Sequence, residues 1–219
     1  MPETLTPPVA SASLAERFAA VRAHSEAITE GLHVEDYVVQ SMEDVSPLKW
    51  HLAHTTWFWE TFVLTKYAPG YALFDDRYPF LFNSYYVQAG ERHCRAQRGY
   101  LSRPTVADVA AYRAHVTAAM ADFLDGFAEA DRPDVADVVA VGLHHEQQHQ
   151  ELMLTDLKHV FAVNPLRPAY RERPHVPAPD PGPLGWRVRG RRPDDGRRAV
   201  PLRQRRPAPP PVRRGLRDR

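Results

Sequence analysis

This 219-residue sequence predicts an all-α fold, a four-helix bundle with one long connection. Three observations lead there. Four stretches place apolar residues at helical spacing. No stretch shows convincing strand alternation. The segments end on helix punctuation, Ala68-Pro69-Gly70 after the second and Asn164-Pro165 after the fourth.

The first helix is expected over 13–32, with Leu14, Phe18, Val21 and Ile28 along its apolar face. Ser13 and Glu16 have the spacing of a capping box. The second is expected to start with Ser46 as N-cap and Pro47 at the first helical position, and to run to Tyr67. Residues 71–104 then read as an irregular, aromatic-rich connection between helices 2 and 3. It exceeds the usual helix–helix loop, so it is expected to be functional or to contain short helices. Thr105 caps the third helix, which is apolar at Val106, Val109, Tyr112, Val116, Met120, Phe123 and Leu124. The fourth is expected from about Val135 to Val163. Beyond it, composition divides the chain into the bundle (1–168), a Pro-rich linker (169–186) and an Arg/Pro-rich tail (187–219).

The net charge of +1 is unevenly spread. Residues 187–219 hold 13 Arg, no Lys and 3 Asp, which leaves 15 basic and 24 acidic residues before them. An acidic body is unsuited to a phosphate backbone, so no nucleic-acid partner is expected of the folded part. The tail has almost no apolar side chains to bury and is expected to be disordered. No apolar run approaches the ~20 residues of a membrane span. The first dozen residues also lack the basic start and apolar stretch of a secretory leader. No membrane partner and a cytoplasmic location are therefore expected. The single cysteine, Cys94, fits a reducing compartment.

The chemistry concentrates in "GLHHEQQHQELMLTDLKH", residues 142–159, which reads as helix yet carries four histidines. His145 and His149 are four apart and share one face, so two imidazoles can meet one metal ion without bending the backbone. On the second helix, His54 lies between Trp50 and Phe58 on an apolar face, and His51 is expected to point more to the side. Facing helices of a bundle can build a metal site in the core, so the economical set is His54, His145 and His149. A lone core histidine with a hydrogen-bond partner is the ordinary alternative for His54. The 145/149 pair is costly to bury without a metal. His144 and His159 are read as surface or cap residues. Glu146 and Gln147 are read as outward-facing or lying behind the ligands, with Gln148 beside the metal face. Three neutral imidazoles suit zinc, copper, iron and nickel alike and can leave coordination positions open. Trp50, Trp57, Phe58, Trp59, Tyr85 and Tyr86 offer an aromatic wall. His145-Glu146-Gln147-Gln148-His149 also fits the short H-E-x-x-H pattern of zinc proteases, with Glu146 as general base. The longer continuation found in many such enzymes is absent.

Three blocks, "SPLKWHLAHTTWFWETFVL", "FLFNSYYVQAGERHCRAQRGYLSRPT" and "GLHHEQQHQELMLTDLKHVFAVNPLRPAYR", resemble the N-terminal half of the ergothioneine-biosynthesis sulfoxide synthases, also called hercynine oxygenases. The resemblance runs over about residues 13–186 and implies a DinB-like four-helix bundle. It implies an iron(II) cofactor held by one histidine of the W-x-L-A-H stretch and two of H-E-Q-Q-H, which fall on His54, His145 and His149. It implies as substrates oxygen, trimethylhistidine (hercynine) and a thiol, γ-glutamylcysteine or cysteine. Gln148 falls where the family's glutamine touches the substrate imidazole. Arg95 and Arg98 fall on the R-x-x-R pair that binds the thiol's carboxylates, a role suited to the planar guanidinium fork.

In these synthases a second domain, similar to the formylglycine-generating enzyme, supplies the catalytic tyrosine. The Arg-rich residues after Trp186 do not read as that domain and are expected to be a frameshift product, so no catalytic residue is assigned within this chain. Two other functions remain open. One is a different DinB-like enzyme, such as a metal-dependent thiol transferase, in which the bundle alone suffices. The other is a non-enzymatic bundle with a basic binding tail.

Overall fold

The computed structural model describes residues 12–84, 86 and 90–172, all within the first of the chain's two units, Met1–Arg173. Tyr85, most of the expected linker and the whole basic tail lie outside the described residues. Among those described, every regular element is helical.

Helix α1 spans Leu14–Thr29 and opens on the expected capping box. The Ser13 hydroxyl accepts the Glu16 N–H, and the Glu16 carboxylate accepts the Ser13 N–H. It stops three residues earlier than the sequence suggested, at the left-handed Gly31 (φ 80°). Helix α2 covers Leu48–Trp59, passes through a π-helical turn, Glu60–Leu64, and ends with Thr65–Tyr67. Its end is where Ala68-Pro69-Gly70 placed it. Its start is one residue later than expected, with Pro47 as cap. Ser46 is not spent on capping: its N–H goes to Asp156 and its hydroxyl accepts from Arg98. Short helix α3, Tyr78–Phe82, and a 3-10 segment, Arg95–Tyr100, lie inside the long connection. Helix α4, Val106–Leu124, starts on a second capping box, Thr105 with Asp108. Helix α5, Pro133–Val163, begins two residues before the expected point, with proline in its first turn.

Helix α1 packs on α5, α5 on α2, α2 on α4, and α4 on α1. Chain neighbours α1 and α2 thus face each other diagonally, as do α4 and α5. Every residue of α2 between Leu48 and Trp59 is buried. A helix buried on all sides lies in the middle of the fold, and α2 carries Trp50, Trp57 and Trp59 there together with the buried polar side chains of Lys49, His51, His54, Thr55 and Thr56.

The bundle centre is also charged. Glu146 on α5 is fully buried and meets Arg22 of α1 at 3.3 Å and Arg113 of α4 at 2.9 Å. Ser25 and the Trp59 indole N–H donate to the same carboxylate at 2.7 and 2.8 Å. Burial resists the charge on Glu146, yet the two guanidinium groups and these donors hold its pKa down at about 2. This corrects the outward placement of Glu146. Three elements converge on one residue because a buried carboxylate without cations would be costly.

Close approach of α5 to α2 depends on Gly142. A Cβ there would sit 2.5 and 2.6 Å from Trp59 ring carbons and 3.0 Å from Phe58 Cε1. Glycine supplies the missing volume one turn before His145, at the level of the site.

Candidate metal centre

Helix α2 presents His54 from the middle of its buried length. The ring is sandwiched between Trp50 and Trp57, nearly parallel to each, with centroids 4.6 and 5.3 Å away. Its Nδ1 lies 2.5 Å from the carbonyl of Phe82 at the end of α3. A carbonyl only accepts, so Nδ1 carries the proton and the lone pair is on Nε2. Helix α5 presents His145 and His149 one turn apart, with ring centroids 4.7 Å from each other and 4.9 and 4.6 Å from His54. Ligand atoms of His54, His145 and His149 all fall within 4.8 Å of one another. The trio expected from helical spacing is thus brought together.

Burial keeps these rings neutral. It is the first cause lowering the pKa of His54 well below the ordinary histidine range, followed by the neighbouring His145. His145 is lowered to about 4, again by burial, and His149 is lowered further by burial and its histidine neighbours. Neutral imidazoles are the form that binds metal.

The fit to a cation is visible in two places. His54 Nε2 and His145 Nε2 are 3.1 Å apart. Two nitrogens each bonded to one ion at about 2.1 Å are separated by roughly 3.0 Å at a right angle and 3.4 Å at the tetrahedral angle. His145 Nδ1 is buried with no hydrogen-bond partner among the described residues. Without a cation, His145 must put its proton on Nε2 to satisfy His54 and leave Nδ1 bare. With one, Nε2 becomes a ligand.

A cavity of about 540 Å³ opens on the three rings. Gln148, Arg95, Arg98, Ser84 and Tyr86 line it together with the histidines, so the three expected ligands and the three expected substrate-binding residues border one space; of the expected aromatic wall, Trp50 and Tyr86 are among the lining residues. Gln148 is exposed at the mouth, as is Arg95. Arg98 is buried, donates to Ser46 and Ser84 at 2.9 and 3.0 Å, and lies 3.3 Å over the Trp50 ring. The long connection serves the site directly, supplying the carbonyl behind His54 and three of the polar lining residues.

Two residues were misread from sequence. His51, expected to point aside, is buried against His149, with Nδ1 atoms 2.9 Å apart, and contacts Asp156. Glu146 faces away from the imidazoles into the Arg22/Arg113 cluster, so it cannot serve as base to a metal-bound water. That removes the zinc-protease reading of the H-E-x-x-H pattern. The signal for both was present: Asp156 is seven residues after His149 and shares its face, and Glu146 falls within the core stripe Val139, Leu143, Met153, Leu157. His144 is exposed and His159 bonds Ser41 near the helix end, as expected.

A helical bundle with three buried imidazoles converging from two facing helices defines an all-α protein able to hold a metal ion in its core. The sequence pattern of the DinB superfamily matches residues 17–153, and the chain belongs to that superfamily, whose members are often metal-dependent enzymes. No curated protein matches the chain. No described helix is long and apolar enough to cross a membrane.

Proposed function

We propose that this bundle holds iron(II) on His54, His145 and His149 and forms the metal-binding half of a sulfoxide synthase. The reaction joins the sulfur of a cysteine-containing thiol to the imidazole carbon of trimethylhistidine. One oxygen atom of O2 goes to sulfur and the other leaves as water with the thiol and ring hydrogens. The observation that carries the reading is one cavity with neutral imidazoles at its floor and Arg95, Arg98 and Gln148 on its walls. Bound iron would supply oxygen activation and thiolate binding. Arg98, fixed by Ser46, Ser84 and the Trp50 face, offers a guanidinium to a substrate carboxylate, with Arg95 nearer the mouth. Gln148, one residue before His149, can orient a substrate imidazole by hydrogen bonding. Trp50 and Tyr86 on the cavity wall suit a trimethylammonium group. The catalytic tyrosine is expected in a second domain.

Anaerobic purification followed by metal analysis tests the first half: iron(II) should bind one per chain and be lost in His54→Ala and His149→Ala. Incubation with trimethylhistidine, γ-glutamylcysteine or cysteine and oxygen, with the second domain fused after the bundle, should give the sulfoxide by mass spectrometry. Iron bound without product would favour the second reading, a metal-dependent thiol transferase of the same superfamily. That reading draws on the fact that all three ligands and the cavity lie within the bundle itself.

A further inference from the structure

Behind His149 the hydrogen bonds continue. His149 Nδ1 is 2.9 Å from His51 Nδ1, and His51 Nε2 is 2.9 Å from Asp156 Oδ2. That oxygen also accepts the Ser46 N–H at 2.9 Å. The proton positions follow from chemistry. A carboxylate only accepts, so His51 carries its proton on Nε2. A neutral imidazole carries one proton, so the Nδ1 of His51 is then a bare acceptor. His149 Nδ1 must then be the donor, which leaves Nε2 as the one lone pair His149 can give.

We propose that His51 and Asp156 are positioning residues of the metal centre, an imidazole–carboxylate couple that fixes His149 in its Nδ1–H tautomer and sets its ring orientation. The proposal rests on reading the three imidazoles as a metal site. Hydrogen-bond satisfaction alone would not need such a couple. His54 is satisfied by a single backbone carbonyl, whereas His149 is served by a second buried histidine and an acid two turns along its own helix. The couple therefore ties α2 to α5 at the level of the site. Asp156 is also the only carboxylate lining the cavity among the described residues. Three neutral ligands leave the ion's full positive charge in place, and Asp156 offsets part of it through the two rings. Carboxylate-backed histidines are more basic ligands, and losing such a partner typically costs 10–100-fold in metal affinity.

The experiment uses the intact chain and cobalt(II) as an optical probe. Long-range proton–nitrogen NMR of the metal-free protein should show His149 with its proton on Nδ1, and His51→Phe should move it toward Nε2. Cobalt(II) affinity should fall about 10–100-fold in His51→Phe, with a shifted visible spectrum. Asp156→Asn, which keeps an acceptor but removes the charge, should give a smaller loss. His149→Ala should lose binding outright. If His51→Phe and Asp156→Asn bind cobalt like the parent while His149→Ala does not, the couple is refuted and the metal site stands. A parent chain that takes no cobalt refutes both. Should His51→Phe fail to fold by circular dichroism, unchanged affinity in Asp156→Asn alone overturns the proposal. A proton on Nε2 of His149 in the parent does the same.

Discussion

Replacing Gly142 by alanine adds one methyl group, and the structure fixes the sign of its effect. On an open helix surface Gly→Ala stabilises by roughly 0.5–1 kcal/mol through helix propensity. Here the new carbon would lie 2.5 Å from the Trp59 ring. Trp59 is fully buried, meets Phe18 edge-on at 5.0 Å and donates its indole N–H to Glu146. The ring cannot retreat without loosening that bond to a buried charge. Overpacking of this kind costs about 1–3 kcal/mol, and a weakened hydrogen bond to a charged group adds about 1–2 kcal/mol. Subtracting the propensity gain leaves a net loss of about 1–4 kcal/mol. For a chain of this size that is a fall in Tm of roughly 2–16 °C. Urea unfolding of the metal-free protein gives the number directly. Pushing α5 off α2 would also part His145 from His54, so cobalt affinity should fall in parallel. A variant as stable as the parent, or more so, would refute the close-contact argument.

Glu146→Gln leaves Arg22 and Arg113 buried opposite a neutral group and should cost about 3–5 kcal/mol in urea unfolding; a protease base would instead be replaceable with little loss of stability. Acid should destabilise the metal-free chain in two stretches, followed by fluorescence as the pH is lowered. His145, with a pKa lowered from 6.5 to about 4, contributes stability that is present above pH 6.5 and lost as pH falls toward 4. Glu146, lowered from 4.5 to about 2, contributes stability lost below pH 4.5, worth roughly 3 kcal/mol at one pKa unit per 1.36 kcal/mol. Arg98→Lys keeps the charge but not the fork or the flat stack on Trp50. Calorimetry of the metal-loaded chain should show at least tenfold weaker binding of γ-glutamylcysteine, with metal content unchanged.

Much of this was legible in the sequence because it is written in local spacing. The Ser13/Glu16 capping box and the Thr105 cap follow from local spacing, and the i, i+4 pair His145/His149 needed only helical geometry. His54 could be placed by its apolar flanks, Trp50 and Phe58. Glu146 was misplaced because a carboxylate in a core stripe makes sense only beside its cations, and Arg22 and Arg113 lie 124 and 33 residues away. Each of those arginines sits in its own helix's buried stripe, Phe18–Ser25 and Val109–Val116. Three charged residues in three core stripes were the available clue. The partnership of His51 with Asp156 crosses 105 residues and depends on the angle between α2 and α5, which periodicity does not encode.

One ring in the cluster is latched less firmly than the others. Phe82 holds the ring of residue 54 and His51 holds that of residue 149, whereas the far nitrogen of residue 145 has nothing to grip among the described residues. Detachment of an ion should begin at this loose arm, since letting go there breaks no other bond. Chelator-stripping rates should then respond most to changes around residue 145. A neighbouring acceptor engineered within reach of its idle nitrogen should turn a quickly exchanging centre into a slow one.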